Sequence, residues 1–220
     1  MVPTDPSAHL HSRRLPLVPL PRRLIRISLR KYPDPLHWSQ LGVHRFDSPT
    51  ARYGVLYTSN YVETAILEVF GDQWQSTRYV RFNDLEEYDV CEIQILLSLT
   101  VVNATGKHLN RLSTDSNFFA TTNYAATQSW ARSFMTHPQQ PAGIRYNSRK
   151  NPSRINYALF GSPETRAATK LVRRYPLTHY AALYHSCSLT TSRSFRTGQK
   201  KGRYEQWPPC ARYDRSLTIR

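Results

Sequence analysis

Apolar and polar residues alternate along Leu24-Ile-Arg-Ile-Ser-Leu29, with Ile25, Ile27 and Leu29 on one side and Leu24, Arg26 and Ser28 on the other. A period of two predicts a strand, here with an apolar face and a face carrying an arginine. Residues 31–44 show no period and contain Pro33 and Pro35, so they read as irregular. Pro49 and Gly54 bound a turn, and residues 55–58 then read as a short strand. The period next becomes helical. Ala65, Ile66, Val69 and Phe70 form a buried stripe, Ser59 or Asn60 offers a cap, Asn60 and Glu63 have the spacing of a capping box, and Gly71 supplies a stop. Glu68 falls on the margin of that stripe, on the side of Tyr61, where a carboxylate can line a cleft.

Further along, residues 79–82 read as a strand, and residues 90–102 (VCEIQILLSLTVV) as a central β-rich stretch. Asn123 is placed to cap a helix running to Met135, with Ala126, Trp130, Ala131 and Phe134 facing inward. Pro138, Pro141 and Gly143 end it. Ile144, Tyr146 and Ser148 then share one face of a strand, with Ser148 at its end. Residues 157–160 give another strand, and residues 175–184 the last ordered piece. Many short strands, two good helices and no regular βαβ rhythm predict an α+β fold with an antiparallel or split sheet and flanking helices. No internal repeat is visible. The pattern divides the chain into a disordered lead-in (1–22), one domain (23–185) and a disordered basic tail (186–220).

Composition sharpens this division. The chain has 220 residues, enough for one domain with a proper core, and a net charge of +15. Residues 1–31 carry seven bases and one acid (+6), and residues 164–220 carry twelve bases and three acids (+9), so 6 + 9 accounts for the whole +15. The stretch between them balances eleven bases against eleven acids. A nucleic-acid-binding fold should carry its basic patch on the folded face. Here the excess lies on the ends, which suits solvated charge and nonspecific polyanion binding by the tails.

Three cysteines, Cys91, Cys187 and Cys210, show no CxxC spacing, which argues against a disulfide framework or zinc site and for a reducing, cytoplasmic setting. No apolar run approaches the roughly 20 residues of a membrane span. The stretch LPLVPLPRRLIRISL is broken by Pro16, Pro19 and Pro21 and makes a poor signal peptide, and the same prolines oppose the amphipathic helix of a transit peptide. No histidine pair has metal-ligand spacing, so no metal is expected.

The motifs LIRIS, HRFDSP, GVLYTSNYVETAILEVFGD, NYAATQSWA, GIRYNSR and YALFG, in that order and spacing, resemble the RES domain, named for its Arg, Glu and Ser; the resemblance spans residues 23–161. It departs at both ends, where family members are usually compact and lack a basic tail like residues 186–220. The resemblance implies a fold similar to ADP-ribosyltransferases. It implies a toxin of a toxin–antitoxin pair that destroys cellular NAD by hydrolysis or phosphorolysis. It also implies an antitoxin partner with a helix-turn-helix that blocks the cleft. Matched by motif, the family's arginines fall on Arg26 and Arg45, its tyrosine on Tyr57, its glutamate on Glu68 and its serine on Ser148.

Those residue types suit the chemistry. Loss of nicotinamide builds positive charge on the ribose, and Glu68 is the natural anion to favour it, or to orient an attacking water or phosphate. Arg26 and Arg45 have guanidinium forks that match pyrophosphate oxygens. Tyr57 can stack on a ring or donate its hydroxyl. Ser148 lacks a nearby histidine and a nucleophile elbow, so it reads as a binding or orienting residue. His44, beside Arg45, is an additional candidate with a structural role as the plainer reading. Neither GxGxxG nor a Walker loop occurs, so NAD is expected as substrate rather than cofactor, with inorganic phosphate as an optional co-substrate. A mono-ADP-ribosyltransferase acting on a protein, and a non-catalytic basic nucleic-acid-binding protein, are the competing readings.

Overall fold

Strand pairing follows the alternation seen in the sequence. A computed structural model describes residues 5–77 and 80–180. Its strands are β1 (Leu17–Pro19), β2 (Arg23–Leu29), β3 (Val55–Ser59), β4 (Tyr88–Ile95), β5 (Thr100–Ala104), β6 (Gly143–Asn147), β7 (Ile155–Phe160) and β8 (Thr169–Pro176). They form one sheet in the order β1-β5-β6-β7-β3-β2-β4-β8, antiparallel except for the β5–β6 pair. The helices are α1 (Val62–Thr77), α2 (Phe82–Glu86), α3 (His108–Arg111), α4 (Asn117–Ala120), α5 (Ala125–Met135) and α6 (Pro163–Ala168). The fold is thus α+β with a mostly antiparallel sheet.

Both faces of the sheet are covered. On one face Val55, Ile144, Ala158 and Phe160 pack beneath Trp130, Ala131 and Phe134 of α5. On that same face Ile27 packs beneath Ala65, Ile66, Phe70 and Trp74 of α1. The opposite face buries Leu24, Leu56, Ile93, Tyr157 and Leu159 with Trp38 and Ala168. Phe46, Phe118, Phe134 and Phe160 are fully buried, each contributing about 1.5–3 kcal/mol, so apolar burial rather than surface ion pairing holds α5 to the sheet.

The sheet is split at one place. β2 pairs with β4 along its whole length but with β3 only at Ile25 and Ser59. Beyond that point the two strands part, and Arg26 Nη1 reaches across to donate to the Tyr57 carbonyl at 3.1 Å.

Several expected boundaries move. The lead-in predicted to be disordered is ordered over residues 5–22: β1 pairs with β5, and Leu10, Leu15 and Leu20 are buried. Those leucines act as separate anchors and leave no periodic trace. Gly71 does not stop α1, which continues to Thr77. A Cβ on Gly71 would lie 3.1 Å from Cγ and Cδ of Lys150, so the glycine lets the lysine stem cross the helix. Val69, expected in the core, is exposed. Phe82 starts α2 instead of ending a strand. The β-rich stretch from residue 90 is two strands, interrupted after Ile95. The helix ends at Met135 as expected, but its N-cap is Tyr124 rather than Asn123, whose Oδ1 accepts the Ala125 N–H at 3.2 Å from one residue before the cap. The last expected ordered piece lies within the described residues only up to Tyr180, where β8 already covers residues 169–176; the basic tail lies outside them.

Gly143 has a backbone reason. A Cβ there would lie 2.2 Å from the Ala158 carbonyl oxygen, so only glycine lets β6 approach β7 at this point.

Candidate active site

A cleft of about 420 Å³ opens over the sheet between α1 and the residues leading into α5. Four residues aligned across four neighbouring strands line it: Ile25 of β2, Ser59 of β3, Asn156 of β7 and Tyr146 of β6. Directly opposed residues on adjacent strands share a face, so this row is fixed by register. Ala65, Glu68, Val69 and Asp72 line the cleft from α1, and Tyr124 from the chain just before α5. The size falls within the range of small-molecule sites.

Glu68 is exposed to the cleft, and its Oε1 accepts two hydrogen bonds: from Ser148 Oγ at 2.5 Å and from Asn156 Nδ2 at 2.8 Å. Among the described residues Oε2 accepts none. The Ser148 hydroxyl also accepts the N–H groups of Lys150 at 3.2 Å and Asn151 at 3.1 Å. Its one donor and both lone pairs are therefore used. Ser148 is fully buried and does not line the cleft. Its position assigns it to orienting Glu68 and the turn after β6, in place of a direct contact with a bound molecule.

Arg45 sits in a loop bolted to α5. Thr127 Oγ1 donates to the Arg45 carbonyl at 2.7 Å, and Gln128 Nε2 donates to the carbonyls of Gly42 and His44, each at 2.9 Å. These bonds explain why two polar residues lie on the buried face of α5. The guanidinium of Arg45 donates to the Thr121 carbonyl at 2.8 Å and stacks on Tyr124, 4.9 Å from the ring centroid. Burial lowers the pKa of Arg45, opposed by Tyr124, Tyr146 and Glu68. Burial also lowers that of Arg26, whose Nε is buried without a partner. Both side chains line the cleft and stay cationic.

The Tyr57 hydroxyl is committed. It donates to Asp47 Oδ1 at 3.0 Å and accepts the Phe46 N–H at 2.9 Å, while the His44 ring meets the Tyr57 ring edge-on at 5.7 Å. Burial first, then the charge of Asp47, pushes the Tyr57 pKa well above the usual tyrosine value. Asp47 is fully buried and also accepts the His44 N–H through Oδ2 at 3.1 Å. Tyr57 therefore ties the arginine loop to β3 and offers the cleft its ring rather than its hydroxyl. His44 lines the cleft as well.

At the far side of Glu68, Arg149 and Lys150 add positive charge. Both pair with Asp72, Arg149 at 3.5 Å. Burial lowers the Lys150 pKa and Glu68 partly restores it. The structure thus gathers Arg26, Arg45, Tyr57 and Glu68 in one cleft, with Ser148 behind Glu68. Sequence reasoning missed Asn156, Asp47, Tyr124 and the Asp72–Arg149–Lys150 cluster. Asn156 left one readable signal, a single amide in the otherwise apolar INYALF. No group of metal-binding side chains is present among the described residues, and no helix there is long and apolar enough to cross a membrane.

Comparison with known proteins adds two findings. The family model of the RES domain matches residues 14–180. A chain of the crystal structure of the M. tuberculosis MbcT-MbcA toxin-antitoxin complex shares the fold, with a TM-score of 0.54, 13% identity and coverage of 72% of this chain and 85% of that one. No curated protein matches the chain.

Proposed function

Because this chain belongs to the RES domain family, we propose that it cleaves the nicotinamide–ribose bond of NAD, as the toxin of a toxin–antitoxin pair. The observation that supports this most is Glu68, a carboxylate held from behind by Ser148 and Asn156 in a cleft that also contains Arg26 and Arg45. The kinship of fold with a chain of a toxin-antitoxin complex supports an antitoxin partner, expected to carry a helix-turn-helix. NAD is then a cytoplasmic substrate.

The chemistry follows from charge. The bond from ribose C1′ to the nicotinamide nitrogen breaks with its electron pair moving to the ring, which leaves neutral. The ribose becomes oxocarbenium-like, and Glu68 Oε2 is the free anion available to offset that charge. Arg26 and Arg45 offset the two pyrophosphate charges. Water then adds at C1′ and loses a proton, giving ADP-ribose; inorganic phosphate adds instead to give a sugar phosphate. Preorganisation matters because each tenfold in rate is about 1.4 kcal/mol of barrier.

The test is nicotinamide release from NAD by the purified full chain, with products separated by chromatography in the presence and absence of phosphate. Release of nicotinamide with ADP-ribose or its 1-phosphate is expected. Intact NAD in both arms contradicts the proposal, and label from adenine-labelled NAD appearing on protein redirects it to ADP-ribosyl transfer.

A further inference from the structure

We propose that Asn156 and Ser59 form a positioning relay for Glu68 that fixes which carboxylate oxygen is free to act; this rests on the NAD-cleaving reading above. Asn156 is the polar exception in β7, whose other buried residues are apolar. It occupies the centre of the aligned row, between Ser59 on β3 and Tyr146 on β6. Register therefore holds it beside both strands, and it is only 1% exposed.

The relay has a direction. Ser59 Oγ donates to Asn156 Oδ1 at 2.5 Å, which commits the amide oxygen to β3 and turns the Nδ2 group towards α1. Nδ2 then donates to Glu68 Oε1 at 2.8 Å. Ser148 donates to the same oxygen from the turn after β6. Two donors on one oxygen hold the carboxylate in a single orientation, and the second oxygen keeps its full acceptor capacity for the cleft. A buried amide costs free energy unless it is bonded, and here both ends are bonded. An aliphatic residue would fill this strand position without that cost, so the amide points to a role for its hydrogen bonds beyond packing.

The relay is distinct from the Arg, Glu and Ser of the family pattern. Ser148 anchors Glu68 through the turn after β6, whereas Asn156 anchors it through the sheet. The two anchors meet on one atom, so their effects should not add.

Steady-state NAD cleavage by full-length Asn156→Ala, Asn156→Asp and Ser59→Ala tests this, alongside crystal structures of wild type and Asn156→Ala. Asn156→Ala should lower kcat about tenfold with KM within twofold, since one hydrogen bond to a charged group is lost. Asn156→Asp keeps the shape but replaces a donor with a like charge, and should lower kcat roughly a hundredfold. Ser59→Ala, which frees the amide to turn, should lower kcat about threefold. Glu68 should leave its wild-type rotamer in the Asn156→Ala crystal. Folded Asn156→Asp with wild-type kcat, or an unmoved Glu68 in Asn156→Ala, overturns the relay. Should wild type leave NAD intact, the functional reading fails by itself, and the Glu68 rotamer still decides whether the relay exists.

Discussion

Ser148 Oγ donates to Glu68 Oε1 across 2.5 Å, although 80 positions separate the two residues. The same hydroxyl holds the turn after β6 through two backbone N–H groups. A serine so engaged has no free proton or lone pair with which to act as a nucleophile. Ser148→Ala should therefore reduce kcat about tenfold without abolishing cleavage, and should cost about 1–3 kcal/mol of stability from the unsatisfied N–H groups. Urea unfolding and single-turnover rates check both halves. Loss of all activity in a folded Ser148→Ala protein would give the serine a direct chemical role instead.

Tyr57 should matter to stability more than to turnover. Tyr57→Phe removes the acceptor for the Phe46 N–H and the donor to buried Asp47, a loss of about 1–3 kcal/mol measurable by urea unfolding. Activity per folded molecule should stay within about threefold, because the ring remains.

Alkaline pH should destabilise the protein. Tyr53, Tyr57 and Tyr146 all have pKa values raised by burial above the usual value near 10. A group raised in the folded state contributes its full stability below the unfolded pKa. Above pH 10 the unfolded chain releases these protons while the folded chain keeps them, so stability falls as pH rises. Melting temperatures from pH 8 to 11.5 should drop above pH 10, and the drop should be shallower in Tyr57→Phe.

Arg26 and Arg45 should separate from Glu68 kinetically. Arg26→Lys keeps the charge but loses the planar fork that reaches the Tyr57 carbonyl from the wall of the cleft. KM for NAD should rise about tenfold, with a smaller change in kcat, if the arginine binds pyrophosphate. An unchanged KM would place Arg26 in the scaffold of the split sheet alone.

The sequence was legible wherever one face of an element met the core. Residues 24–29 and 125–135 carry the period of their element, residues 55–58 are marked by the turn before them, and the structure keeps all three. Arg26, Arg45, Tyr57 and Glu68 were brought together by motif rather than by period. What escaped was set by tertiary contact. Leu10, Leu15 and Leu20 bury singly, Gly71 serves a crossing lysine, and Thr127 and Gln128 hold a loop from another part of the chain. Asn156 was unreadable in role because its partners, Ser59 and Glu68, lie 97 and 88 positions away.

Gly143 illustrates the same lesson from the other side. It reads as a helix stop, yet its approach to Ala158 is what forbids a side chain. Gly143→Ala should cost roughly 3 kcal/mol by forcing β6 from β7, which thermal unfolding would reveal; a neutral outcome would mean that the strands part without penalty.

The most direct test of the account is the rate of nicotinamide release from NAD by wild type and by Glu68→Gln, at equal concentrations of folded protein. The substitution keeps the shape and removes the charge. Wild type should release nicotinamide, and the variant should lose a hundredfold or more in kcat, about 2.7 kcal/mol of barrier. Equal rates from the two proteins would contradict this expectation.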